Sequence, residues 1–345
     1  MSLMKNEILE QAVVTRRCLK ENSAQIDSIV SELNSRGIRF VVMAARGTSD
    51  HAAVYGKYIL ESRKGCQVAL AAPSVLTLYN KRPDYKDMLV IGISQSGQAQ
   101  DVREVLQLAS EQGAVTVAIT NYPDSPLAKT AKYHLNCFAG EEKSVAATKT
   151  FTAQMILLAS LAAKWSGDRA FFEKLEVIPE KIQETFAHFD EVKSIAKRYR
   201  FMEECFVLAR GINYAIALEA ALKIEETNYI RAKAFAISDF QHGPMAMLQK
   251  DMPVLIFAPS GPSERDAYEI IEKARKAQAD ILVFSDSEKL RALGDCSIST
   301  PGGIDEDISP YINVVLAQMF ACSLAEIRGL NPDQPRMLNK ITKTY

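Results

Sequence analysis

The chain lacks most of the marks of a secreted, membrane-bound, metal-binding or nucleic-acid-binding protein. Its 41 Lys and Arg nearly balance 42 Asp and Glu, for a net charge of −1. That leaves no electrostatic case for nucleic acid or an anionic membrane as partner. No apolar run approaches the roughly 18 residues expected of a transmembrane helix. The start, Met-Ser-Leu-Met-Lys-Asn-Glu, turns to charge too early for a signal peptide. The six cysteines, at 18, 66, 137, 205, 296 and 322, include no Cys-x-x-Cys pair. Scattered thiols of this kind read as reduced, in a cytoplasmic protein. None of the four histidines neighbours a cysteine or another histidine, so no metal site is expected. No Gly-x-Gly-x-x-Gly follows a strand, which disfavours a dinucleotide. Gly92 and Gly97 have P-loop spacing, but Gln98 and Ala99 stand where Lys and Ser/Thr are required. A nucleoside triphosphate is therefore disfavoured as well.

What is present begins with residues 88 to 97, Met-Leu-Val-Ile-Gly-Ile-Ser-Gln-Ser-Gly. The apolar run Met88 to Ile93 reads as a buried parallel strand. Ser94, Gln95, Ser96 and Gly97 then crowd into one turn, and Val102, Val105, Leu106 and Ala109 follow at helical spacing. Strand, small polar turn and helix start together present N–H groups and hydroxyls to an anion such as phosphate. The alternative is that the serines only cap the next helix. Two serines and a glutamine in one turn exceed what a cap needs. A second hydroxyl-rich turn, Gly47-Thr48-Ser49-Asp50, follows the strand Phe40-Val-Val-Met-Ala-Ala. It could serve the same ligand, or Ser49 or Asp50 could be a helix cap.

The pattern then repeats. Arg46-Gly47 recurs as Arg210-Gly211, Lys86-Asp-Met88 as Lys250-Asp-Met252, and Ser96-Gly97 as Ser260-Gly261, each 164 positions on. Ala114 to Thr120 matches Ala279 to Ser285 at 165. Similar strands would explain the types but not the constant offset. Two copies of one α/β unit are expected, with strands near 39–45, 88–93 and 115–120, and near 205–209, 253–258 and 280–285. Helices fall near 51–62, 99–112, 214–227 and 264–277. Alternation of this kind implies a parallel sheet with helices on both faces and ligands at the carboxyl ends of the strands. The expected organisation is an N-terminal helix over 1–35, a first domain over 36–170, a helical linker over 171–197, a second domain over 198–330 and a tail over 331–345. A closing helix is expected over 307–328. Ile212-Asn-Tyr214 replaces Thr-Ser-Asp in the second copy, so one phosphate site per chain is expected.

The second copy carries ionisable groups instead. In Ala215 to Tyr229, Glu219, Lys223 and Glu226 lie at i, i+4 and i+7 on one face of an Ala- and Leu-rich helix. Periodicity does not decide between a surface ion pair and a half-buried carboxylate suited to proton transfer. His242, before Gly243-Pro244, is a candidate acid or base or an ordinary loop histidine.

Six segments, in order, resemble a known family. They are Gly47-Thr-Ser49, Ser94-Gln-Ser-Gly97, Val145-Ala-Ala-Thr-Lys-Thr150, Ala217-Leu-Glu-Ala-Ala-Leu-Lys223, His242-Gly-Pro244 and Asp333-Gln-Pro-Arg336. They resemble the tandem sugar isomerase (SIS) domains of the isomerase half of glucosamine-6-phosphate synthase. Arg46-Gly-Thr-Ser-Asp-His51 and Ser144-Val-Ala-Ala-Thr-Lys149 are closer to stand-alone SIS proteins, which include glucosamine-6-phosphate deaminases. The resemblance covers almost the whole chain and implies two doubly wound, flavodoxin-like three-layer domains. It implies that Thr48, Ser49, Ser94, Gln95 and Ser96 hold the phosphate of a hexose or amino-hexose 6-phosphate, and that Gly47, Val145 and Ala146 contact the sugar. Glu226 would move the proton between C1 and C2, and His242 would assist ring opening. Lys223 would stabilise charge on oxygen, and Glu219 would orient it. Lys340 matches a lysine that forms an imine with the ketose, making the tail a lid. The resemblance also implies a homodimer with shared sites and no cofactor. Arg46 stands where the synthase has Cys, Ala99 replaces a hydroxyl residue and Ala147 replaces a serine.

The synthase's glutamine amidotransferase domain has no counterpart before the first SIS copy, so ammonia release is expected rather than glutamine-dependent synthesis. The expected activity is an isomerising deaminase acting on glucosamine 6-phosphate. Isomerisation without deamination and deglycation are the enzyme alternatives. A non-catalytic sugar-phosphate sensor is the alternative of another class.

Overall fold

The computed structural model describes residues 2–340. The first repeat forms a sheet of β1 (Phe40–Ala44), β2 (Gln67–Leu70), β3 (Leu89–Ile93), β4 (Val115–Thr120) and β5 (Tyr133–Asn136). All its pairings are parallel and the order is β2-β1-β3-β4-β5. The second repeat has β6 (Glu204–Ala209), β7 (Arg231–Ala236), β8 (Pro253–Phe257), β9 (Asp280–Ser285) and β10 (Cys296–Ser299). Its order, β10-β9-β8-β6-β7, is the same one read from the other edge, again all parallel. Strand order reverses between β1 and β3, and between β6 and β8. Those are the switch points where such sheets open a crevice.

Composition explains the central strands. Every residue of β3 (LVIGI) and β4 (VTVAIT) is buried, as a strand covered by helices on both faces requires. The expected three strands per repeat are all present, and each repeat has two more. Three of these extra strands, β2, β5 and β10, are four-residue edge strands with mostly half-buried or exposed side chains. The fourth, β7, is a six-residue edge strand, RAKAFA, with only two buried positions. An edge strand of this kind carries neither a continuous apolar run nor a clean alternation.

The described residues group into two compact units. The first sheet belongs to residues 13–142, 147–179 and 338–340, and the second to residues 2–12, 143–146 and 180–337. The segmentation is interleaved where contiguous domains were expected. The single N-terminal helix expected from the sequence is three: Leu3–Leu9, Gln11–Glu21 and Ser23–Ser35. Helix Lys149–Ser166 stops at Gly167, with φ +74, and Asp168 caps the next helix by accepting from Phe171 N at 2.9 Å.

Helix Ser309–Ile327 is the closing helix and is buried along nearly its whole length. Among the described residues it is the one helix long and apolar enough to meet the membrane-span criterion, and its surface is covered by protein. Asn313 and Gln318 interrupt its apolar run. Both are satisfied internally: Asn313 Nδ2 donates to Asn213 Oδ1 at 2.8 Å, and Gln11 Nε2 donates to Gln318 Oε1 at 2.9 Å.

The duplication extends to an ion pair that sequence patterning did not reveal. Arg46 Nε meets Asp101 Oδ2 at 2.7 Å, and Arg210 Nε meets Asp266 Oδ2 at 2.7 Å. Each pair ties the end of a unit's first strand to the helix after its third.

Gly97 is required by both conformation and space. Its φ is +64, and a Cβ there would lie 2.1 Å from Ser125 Oγ and 2.4 Å from Ser125 Cβ. Gly97→Ala is expected to cost about 2–4 kcal/mol in urea unfolding. Gly113→Ala, at φ +78 with open space around it, should cost only about 1 kcal/mol.

Candidate functional site

In the first unit, β1 and β3 run side by side in register from Val41 with Leu89 to Ala44 with Gly92. The turns that follow them therefore emerge together at the switch point. The serine turn is held by its own hydrogen bonds. Ser94 Oγ accepts from Gly97 N at 3.1 Å, and Ser96 Oγ accepts from Gln98 N at 3.3 Å. Asn121 N donates to Gln95 O at 3.1 Å, and Leu127 N to Gly97 O at 3.2 Å. The next helix starts only at Gln100, after Ala99, and has no side-chain cap. The capping alternative for Ser94 and Ser96 is thereby removed. Both hydroxyls accept from turn N–H groups, which directs their protons to another acceptor.

Gly47, at φ +53, precedes helix Thr48–Lys64, so neither Ser49 nor Asp50 is its cap. Ser49 is buried, and its Oγ accepts from Gln154 Nε2 at 3.0 Å. Gln154 went unnoticed in the sequence because it lies 105 positions from Ser49. Burial raises the pKa of Asp50, opposed by the charges of His51 and Arg46.

The same unit holds Lys340. Its Nζ meets Glu142 Oε2 at 3.0 Å. Glu142 is fully buried as a side chain, and Oε1 accepts from Thr148 N at 2.9 Å and Thr150 N at 3.2 Å. Thr150 Oγ1 donates to Oε2 at 2.7 Å. Burial alone would raise this carboxyl's pKa, but Lys340 and the threonine donors outweigh it and the net shift is downward. Glu142 joins Thr148 and Thr150 to Lys340, a link the sequence does not display. The rest of the expected lid, 341–345, lies outside the described residues.

The second unit holds the ionisable cluster on helix Tyr214–Asn228. Lys223 is fully buried, 3.4 Å from Glu219 Oε1 and in closer contact with Glu226 Oε2. Burial pushes the ammonium's pKa down, but the two carboxylates more than offset this and raise it. Glu219 is buried and Glu226 is 20% exposed. The cluster is not a surface ion pair: only its Glu226 end reaches accessible space. His242 lies on an exposed turn, its N–H donating to Asp239 O at 3.0 Å.

Val145 and buried Ala146 also belong to this unit. Val145 N donates to Asp333 O at 3.2 Å, while the Asp333 carboxylate accepts from Leu3 N at 2.9 Å and Met4 N at 2.8 Å. The Asp333 to Arg336 motif thus fastens the sugar-binding candidate to the start of the first helix. Arg336 lies over the Tyr229 ring at 4.0 Å.

The second unit's equivalent of the serine turn is filled by the chain itself. Ser263 N donates to Glu306 Oε2 at 3.1 Å. Cβ atoms placed on Gly211 and Gly261 would lie 3.2 Å and 3.0 Å from this carboxylate. A carboxylate of the chain's own thus stands at the second turn, in the repeat whose sequence carries no second hydroxyl-rich motif.

The SIS domain profile matches residues 36–164 and 202–328. The chain is 35% identical over 340 residues to glutamine–fructose-6-phosphate aminotransferase [isomerizing] of Aquifex aeolicus, covering 98% of this chain and 57% of that protein. It thus spans little more than half the length of the curated relatives it matches. Among solved structures, the C-terminal domain of glucosamine-fructose-6-phosphate aminotransferase from Francisella tularensis superposes with a TM-score of 0.88 at 26% identity, covering 97% and 98% of the two chains. Glucosamine-6-phosphate deaminase from Thermotoga maritima shares the fold, with a TM-score of 0.75 at 23% identity over 99% of this chain and 100% of that one.

Glu142 makes a pH-dependent contribution to stability. Its folded pKa lies below the ordinary 4.5, so the contribution is complete above that value and is lost as pH falls through the lowered one. Glu142→Gln should cost about 1–3 kcal/mol in urea unfolding at pH 7. The difference from the native chain should begin to shrink as pH falls below the ordinary 4.5 and should close only once pH passes the lowered pKa.

Proposed function

The chain belongs to the SIS-domain family, and from that membership and the geometry above we propose that it is an amino-sugar-phosphate isomerising deaminase. Glucosamine 6-phosphate would be converted to fructose 6-phosphate and ammonia. The observation that carries this reading is the cluster at Glu219, Lys223 and Glu226. A buried ammonium between two carboxylates fixes the side chain of Glu226, whose accessible end can exchange a proton with carbon.

In this reading Thr48, Ser49, Ser94, Gln95 and Ser96 grip the phosphate, and Gly47, Val145 and Ala146 contact the sugar. His242 assists opening of the ring to the aldehyde. Glu226 takes the proton from C2 and returns it to C1 through an enolamine. Lys223 stabilises negative charge developing on oxygen, and Glu219 orients Lys223. The product is the ketose imine, which water hydrolyses to the ketose and ammonia. Lys340 forms an imine with the ketose in this reading. The aldehyde acidifies the C2–H bond, so this route calls for no metal or redox cofactor. Relatives named glutamine–fructose-6-phosphate aminotransferase [isomerizing] support the substrate class. Cytoplasmic location and a homodimer sharing His242 between sites complete the proposal.

Incubation of the protein with glucosamine 6-phosphate should release ammonia and fructose 6-phosphate in equal amounts. Glu226→Gln should lower kcat by about 100- to 10,000-fold with the fold intact. Ketose without ammonia would establish simple isomerisation instead. Binding without turnover would leave a sensor.

A further inference from the structure

We propose that Arg46 is the cationic arm of the first unit's phosphate site, presenting its two Nη groups to the substrate's phosphate while Asp101 holds its Nε. The inference rests on the reading of the two turns as that site and adds to them a charged, specificity-determining residue. A phosphate monoester carries nearly two negative charges at neutral pH, whereas the turns offer hydroxyls, an amide and backbone N–H groups. Guanidinium matches phosphate in both charge and planar geometry.

Placement favours Arg46. Its carbonyl accepts from Ser49 N at 3.1 Å, so its backbone belongs to the hydroxyl turn after β1. Its Nε meets Asp101, in the first turn of the helix after the serine turn. One residue thus spans both turns. Asp101 is 1% exposed, and its other oxygen accepts from Val102 N at 2.9 Å. A carboxylate so fixed allows the guanidinium little freedom. The Arg46 side chain nevertheless remains 49% exposed.

The second repeat is an internal control. Arg210 makes the same Nε bond, to an Asp266 that is 43% exposed, and its Nη1 is committed to Ser238 Oγ at 2.9 Å. Among the described residues, Arg46 has no protein partner for either Nη. The shared bond therefore serves as a joint between strand and helix in both repeats. The uncommitted guanidinium edge occurs in the repeat that has the serine turn, not in the repeat where Glu306 stands at the turn. Charge points the same way. Asp50 lies within the electrostatic reach of Arg46. Without the arginine, Asp50 and Asp101 would oppose a phosphate dianion.

Calorimetric titration of the full chain with inorganic phosphate and with glucosamine 6-phosphate tests this. Arg46→Met should weaken both by roughly 10- to 100-fold and flatten the salt dependence of binding. Because Arg46→Met strands a buried carboxylate, the double variant Arg46→Met/Asp101→Asn is measured beside it. The double variant should regain thermal stability without regaining phosphate affinity, a split that a purely structural joint would not give. Affinity within about threefold of the native chain in the double variant overturns the proposal. Ser94→Ala/Ser96→Ala separates the two claims. If it abolishes binding while the arginine variants bind normally, the turn is the phosphate site and Arg46 is not its arm. If it leaves binding unchanged, or if the native chain binds no phosphate, the phosphate reading falls and the role of Arg46 falls with it.

Discussion

The parallel pairing of β1 with β3 is the constraint on which the first unit's candidate site depends. Right-handed crossovers place the helices after these two strands on opposite faces. No helix then covers the strand ends between them. The turns at Gly47 and Ser94 come together for that reason, although they lie 47 positions apart in the chain. β6 and β8 repeat the arrangement in the second unit. There, helix Tyr214–Asn228 carries its charged face as the direct continuation of β6.

Each unit also encloses ions that its helices could not tolerate unpaired. Lys223 lies between two carboxylates, Glu142 is surrounded by threonine donors and Lys340, and Asp101 holds Arg46. Burial removes water from these groups, and their partners restore the interaction. Such arrangements add little net stability compared with an apolar core of the same shape. They do restrict geometry: each buried ion has one set of partners and one orientation. In each case the outer member, Glu226, Lys340 or Arg46, reaches partly accessible space. Rigid support beneath an accessible group is what a site needs in order to act without reorganising.

Much of this was legible in the sequence. The serine turn, the hydroxyl turn and the central strands announce themselves because a buried parallel strand must be apolar throughout and must end abruptly. The constant offset betrayed the duplication. The helical face at Glu219, Lys223 and Glu226 was visible, but its burial was not, because the elements packed around a helix do not show in its own periodicity. Edge strands β2, β5 and β10 were missed because four half-exposed residues carry no periodicity. Glu142, Gln154 and Asp101 were missed for another reason. Gln154 and Asp101 have partners far off in sequence, and Glu142 lies just before its motif, where a single carboxylate has no pattern of its own. The interleaving of the two units was equally hidden, since Asp333 binds the first helix across nearly the whole length of the chain.

If the first unit binds a phosphate as proposed, Glu306 gives the two halves different thermodynamic dependences. A unit whose anion arrives from solution gains free energy in proportion to the logarithm of ligand concentration over Kd. A unit that carries its own carboxylate at the equivalent turn has that counter-charge at infinite dilution. In that reading its folding does not depend on ligand supply, and burial raises the pKa of the Glu306 carboxyl. Duplication produced two similar frameworks. In the proposed reading, one answers to a ligand from its surroundings, and the other has made an anionic side chain part of the equivalent turn.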